Sequence, residues 1–135
     1  IYNIKYASST NGIDWNRKNI VAIEQGNKEE CVARASVLRQ KDNLLMAFTY
    51  RGSRDFRDGL DSYKIGYAKG SLNDPCQWDR DDRLIEMDIE IGEFDDKMQA
   101  YPCMRLLDDQ KAVLFYNGNG FGNKGIGCSV LKLSF

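Results

Sequence analysis

Histidine is absent from all 135 residues. That removes Ser-His-Asp and Cys-His catalysis, imidazole acid–base work and the usual zinc sites. The cysteines are only four, Cys31, Cys76, Cys103 and Cys128, and no two stand at C-x-x-C spacing. No metal centre is therefore expected, and the thiols read as buried and free. Disulfides would require export, and spacing cannot give their pairing. No apolar run approaches the roughly 18 residues of a membrane span, so no membrane partner is expected. Charge of one sign is lacking too. The 19 Lys and Arg against 20 Asp and Glu leave a net charge of −1, which argues against a nucleic-acid partner that needs a basic field. Helical patterning is missing as well. No segment longer than about ten residues keeps a 3.6-residue apolar period without a Gly, Pro or Asn break. The glycine-rich "NGNGFGNKG" at 117–125 lacks phosphate-loop spacing and reads as a loop, so no cofactor is expected. The chain opens at Ile1 rather than Met. It is therefore expected to be trimmed or partial, and no compartment can be read from it.

What remains suits one soluble globular domain with a core, since 42% of residues are hydrophobic and 29% charged. One phrase recurs. "IYNIKYASST" (1–10), "SYKIGYAKGS" (62–71) and, more faintly, "NKGIGCSVLK" (123–132) place Ile4, Ile65 and Ile126 at equal steps of 61 residues. A second echo lies between them: "RASVLRQKDNLLMAFTYRG" (34–52) resembles "YPCMRLLDDQKAVLFYNG" (101–118), with Tyr50 aligned to Tyr116. Similarity at a fixed period marks a repeat architecture.

Each phrase reads as strand. Tyr63, Ile65 and Tyr67 alternate with Lys64, Gly66 and Ala68. Leu44 to Tyr50 is apolar on both faces, as in a strand buried on both sides. The breaks at 41–43 and 108–110 read as hairpin turns. The expected strands are 2–8, 19–24, 34–39, 44–51, 63–69, 83–88, 99–106, 111–117 and 125–134. Four strands per period, antiparallel and repeated, make a β-propeller blade. The fold class expected is all-β, with about two and a half blades of four-stranded antiparallel sheet. Residues 1–28 form part of a blade, 29–92 a full blade and 93–135 another part.

"YNIKYASSTNGIDW", "EECVARASV", "SYKIGYAKGS" and "FDDKMQAYPCMRLL…LFYNGNGFGNKGIG" resemble the blades of five-bladed propeller glycosidases, a group that includes arabinanases, fructosidases and mannoside phosphorylases. The resemblance implies carbohydrate as partner and a function of binding or cleaving a poly- or oligosaccharide. The alternative is a non-catalytic propeller module for sugar or protein binding.

Without histidine, carboxylates are the candidate catalysts, and glycosidases need two. Glu29 and Glu30 precede the inner strand at 34–39, where the resemblance places a catalytic Glu. Asp95 and Asp96 precede the strand at 99–106, and Asp95 matches a position nearer to substrate binding. The alternative for all four is a solvated loop acid. Arg34 starts an inner strand and reads either as a ligand for sugar hydroxyls or a carboxylate, or as an ion-pair partner of Glu29 or Glu30. Arg51 is a further substrate-binding candidate, although Arg51, Arg54 and Arg57 among Asp55, Asp58 and Asp61 also read as a self-neutralising loop. Tyr101, Tyr116, Asn117, Asn119 and Phe121 supply the aromatic faces and amides of a sugar cleft, or core packing and a turn.

A five-bladed ring at this period needs about 300 residues. The chain alone would carry only part of the acid set and would leave raw sheet edges. A homodimer that completes one five-bladed ring is therefore expected, pairing the strand near 2–8 of one copy with that near 125–134 of the other. A fragment of a longer enzyme is the alternative.

Overall fold

The computed structural model describes residues 2–133. Among them there are nine strands and no helix. β1 (Ile4–Ser8) and β2 (Asn16–Ile23) form a two-stranded sheet. β3 (Cys31–Gln40), β4 (Asn43–Arg51), β5 (Lys64–Ser71) and β6 (Asp74–Arg80) form a four-stranded sheet in chain order. β7 (Ala100–Leu106), β8 (Lys111–Asn117) and β9 (Ile126–Lys132) form a three-stranded one. Every pairing is antiparallel. The expected strand over 125–134 is β9; position 134 lies outside the described residues.

The sheets stack, and two apolar clusters fill the spaces between them. Ile23, Val32, Met46, Phe48 and Ala68 pack together with Ile4, Tyr50 and Trp78 against them, joining the first sheet to the second. Leu38, Leu45, Ala47, Ile65 and Tyr67 meet Met104, Ala112, Leu114, Tyr116 and Leu131, joining the second to the third. β4 contributes to both clusters, so its two faces are both apolar.

The second and third sheets repeat in register. Ala33 pairs with Thr49 and Ser36 with Ala47, so one extra residue bulges from β3. Ala100 pairs with Asn117 and Cys103 with Phe115, the same bulge in β7. Ile65 then faces Thr49 and Ile126 faces Asn117. Counted from the bulge, Tyr116 corresponds to Phe48 and not to Tyr50. The one-residue difference at the turn belongs to the second copy, whose turn is the longer. The repeated isoleucines face the same way. Ile4 packs toward the second sheet and Ile65 toward the third. Ile126 is 69% exposed because no described sheet covers that face.

The period also explains a glycine. Gly66 stands beside Phe48, and a Cβ there would come within 2.5 Å of its ring; Gly127 stands beside Tyr116, where a Cβ would come within 2.1 Å. In both copies the glycine after Ile makes room for the aromatic ring of the neighbouring strand. Lys5 stands in its place after Ile4, and its ammonium donates to the Asn19 side chain.

One expected strand is not formed. Residues 83–88 do not pair, and the fourth strand is β6, at Asp74–Arg80. Leu84, Ile85 and Met87 nevertheless pack on the core between the second and third sheets, and that burial produces their strand-like pattern. β6 lies at the sheet edge, where Pro75 removes no needed donor, and its Trp78 covers Gly70.

Candidate functional site

The two bulges aim two side chains at one place. Arg34 and Tyr101 both adopt left-handed backbone, with φ of 60° and 57°. For non-glycine residues that conformation is uncommon and concentrates at functional sites. A bulge re-aims the side chain that it carries. The Tyr101 N–H, freed from its own ladder, donates to the buried Thr49 hydroxyl at 3.0 Å, and the Met104 N–H donates to the Ser36 hydroxyl at 2.9 Å. Hydroxyls of the second sheet thus hold β7 of the third.

Between these elements is a cavity of about 350 Å³ lined by Tyr2, Ala33, Arg34, Arg51, Tyr63 and Tyr101, together with the buried Cys31 and Thr49. The Arg34 guanidinium lies 5.3 Å from the centre of the Tyr101 ring. The Arg51 guanidinium lies 4.0 Å from the Phe56 ring centre and 5.7 Å from that of Tyr63, and donates to the Gly52 carbonyl at 2.7 Å. Tyr63 meets Tyr101 and Phe121 edge-on at 5.9 and 5.2 Å, while Tyr101 and Phe121 stack at 6.0 Å. Burial, followed by the neighbouring Tyr63, pushes the Tyr101 hydroxyl above the usual tyrosine range, so it stays protonated and can donate.

Of the residues singled out from sequence, Arg34, Arg51 and Tyr101 come together here. The glutamates do not line this cavity. Glu30 is 7% exposed and forms a two-pronged ion pair with Arg80 at 2.7 and 3.0 Å. Burial alone would raise its pKa, but the Arg80 hydrogen bonds and the Gly26 N–H outweigh it and hold the carboxyl below the usual range. Arg80 also binds Asp82 at 2.7 Å and stacks on Phe48 and Tyr50. Glu29 is exposed on the loop before β3, 3.6 Å from Arg54. Neither glutamate pairs with Arg34, which replaces that expectation with a stacked arginine.

Asp95 is 5% exposed and accepts the Tyr116 hydroxyl at 2.6 Å. Burial, and then Asp95, raises the Tyr116 pKa. The solvated-acid alternative therefore fails for Glu30 and Asp95, because each has a donor matched to it inside the protein. Tyr116 is core, not cleft. Asn119 fastens a loop: its carbonyl accepts the Lys97 and Met98 N–H groups, and its amide donates to the Glu93 carbonyl and to Asp96. Asn117 donates to the Phe121 carbonyl at 3.2 Å. The cysteines are all free, yet only Cys31 is buried, while Cys103 and Cys128 are exposed. Among the described residues no cluster of His, Cys, Asp or Glu is arranged to hold a metal, and no helix is long and apolar enough to cross a membrane.

Sequence reasoning treats Tyr63 and Tyr2 only as strand residues. Both precede the repeated isoleucine by two positions, so the period itself carries a signal for them. A second cavity, of about 370 Å³, lies beside β5 and is lined by Tyr50, Lys64, Tyr67, Asp82, Glu86 and Gln99 among others. Its Asp82 is already held by Arg80.

No family model matches the chain. Two curated proteins of Mycobacterium tuberculosis resemble it: "Uncharacterized protein MT1551" (strain CDC 1551 / Oshkosh) and "Uncharacterized protein Rv1502" (strain ATCC 25618 / H37Rv). Each is 29% identical over 136 residues, covering 96% of this chain and 40% of the relative. The chain thus spans about 40% of the length of these relatives. Among solved structures, one titled "Glycoside hydrolase" superposes with a TM-score of 0.61 at 18% identity, over 84% of this chain and 36% of that one. Another, a BT0996 RGII complex, gives 0.60 at 16% identity over the same shares. The fold is glycosidase-like.

Proposed function

We propose that this chain is the sugar-binding part of a glycosidase-like β-propeller, with the cavity at the bulges of β3 and β7 as its carbohydrate site. The convergence of Arg34, Arg51, Tyr63 and Tyr101 on one cavity carries the reading. Aromatic faces suit the apolar side of a sugar ring, and guanidinium and phenol donors suit its oxygens. The likeness to a structure titled "Glycoside hydrolase" supports it. So does the succession of stacked antiparallel sheets in chain order, which fits propeller blades.

Binding is favoured over cleavage by the acids. Hydrolysis with inversion or retention needs two carboxyl groups about 5–9.5 Å apart across the scissile bond. None of Glu29, Glu30 and Asp95 lines the cavity, and Glu30 and Asp95 are committed to Arg80 and Tyr116. A glycan array followed by calorimetry tests the reading. We expect oligosaccharide binding that weakens at least tenfold in Tyr63→Ala, with no release of reducing ends over hours. Absence of any glycan binding, with capture of a protein partner instead, would favour the interaction-module alternative.

A further inference from the structure

We infer that the cavity selects a sugar bearing a carboxylate, as a uronic acid does. This rests on the carbohydrate reading above and narrows it.

The observation is an imbalance of charge. Arg34 and Arg51 line a space of about 350 Å³ whose lining includes no acid. Arg80, by contrast, is matched to Glu30 and Asp82, and Arg54 to Glu29. Among the described residues neither Arg34 nor Arg51 has an ion-pair partner. The net charge of the chain is −1, so two unmatched guanidiniums in one concavity are not the spill-over of a basic surface. Two like charges in one cavity repel each other, and an anionic ligand would relieve that repulsion.

The geometry favours a planar anion. Arg34 and Arg51 are steered by ring contacts with Tyr101, Phe56 and Tyr63. A guanidinium held on a ring face keeps its N–H edge free, and that edge matches a carboxylate by two parallel hydrogen bonds. Arg51 spends one donor on the Gly52 carbonyl, and the others stay available. Two of the rings that orient the arginines, Tyr63 and Tyr101, also wall the cavity, so a pyranose could rest on either while its carboxylate meets the arginines.

Calorimetry at pH 7 tests this with a panel of uronic-acid oligosaccharides and their neutral counterparts of equal length and linkage. We expect the acidic member to bind at least tenfold more tightly, with the advantage shrinking between 50 and 500 mM NaCl, as ionic contacts are screened. Arg34→Gln and Arg51→Gln should each remove most of that advantage, weakening the acidic sugar by a much larger factor than the neutral one. Circular dichroism verifies that they fold, and Arg51→Lys, which keeps charge without the fork, should fall between. Equal binding of acidic and neutral sugars overturns the inference and leaves the carbohydrate reading standing. Binding of neither overturns both. Inorganic phosphate that displaces the uronate at equal or lower concentration also overturns it, since the site would then be a phosphate site.

Discussion

Glu30 and Asp95 are acids that the fold has matched to single donors, and their use follows from that. Glu30 faces a guanidinium that is itself largely buried. Glu30→Gln keeps the shape and loses the charge, so it should destabilise by about 1–3 kcal/mol, measured by urea unfolding at pH 7. The sign of the pH dependence follows from the lowered pKa of Glu30. Its contribution is full above the unfolded value, near pH 4.3, and is lost as pH falls through the lower folded value. The parent should therefore lose stability below about pH 4 more steeply than Glu30→Gln; parallel acid-unfolding curves would reject the ion pair as the cause. Tyr116→Phe leaves the Asp95 carboxylate without its 2.6 Å donor. It should cost about 1–3 kcal/mol by the same measurement. Glu29 is exposed and its ion pair is long, so Glu29→Gln should change stability by less than about 0.5 kcal/mol and leave glycan affinity unaltered.

At the scale of the element, the Ile-Gly pair of the repeated phrase is a packing device. The glycines of β5 and β9 let an aromatic ring from the adjacent strand lie across the sheet. Gly127→Ala must push Tyr116 aside and disturb its bond to Asp95. We expect about 1–3 kcal/mol of overpacking, seen as a melting temperature lower by several degrees. The same change at exposed Gly92, where an added Cβ meets nothing but φ is +94°, should cost only backbone strain. The strand assignments were readable where alternation, turn residues and β-branched side chains agreed, as in β4 and β8. They failed at 83–88 because Leu84, Ile85 and Met87 are buried by packing rather than by pairing, and both give apolar positions at short intervals. The true fourth strand holds Pro75 and several charges, which disguised an edge strand as a loop.

Across the whole molecule, no described sheet covers the face of the third sheet directed away from the second. Phe115, Ile126 and Val130 lie on it at 42, 69 and 63% exposure, beside Cys103 and Cys128. Apolar surface of this kind is normally covered, by a further sheet of the same protein or by another copy. The homodimer proposal would pair the strand near 2–8 of a second copy with the free edge of β9, beside this face; the alternative is a further part of a longer chain. Sedimentation in reducing buffer at tens of micromolar should then give a mass above one chain, and Val130→Lys should restore the single-chain mass. A single-chain mass for the parent rejects the dimer. Reducing buffer is needed because the two exposed thiols could otherwise link copies covalently.

Alternation, periodicity and missing residue types are local or additive properties, and the sequence by itself determined what depends on them. It established an all-β chain, antiparallel hairpins, a repeat that returns the same strand contacts, and the exclusion of imidazole chemistry. It also brought forward Arg34, Arg51 and Tyr101, because each sits at a strand end that the repeat makes equivalent or adjacent. Partner choice was beyond it. Whether Glu30 meets Arg34 or Arg80 depends on a residue fifty positions away in β6. Whether Asp95 is solvated depends on a phenol delivered by β8. The two left-handed residues that turn an arginine and a tyrosine into one cavity arise from bulges, and a bulge exists only once two strands have paired.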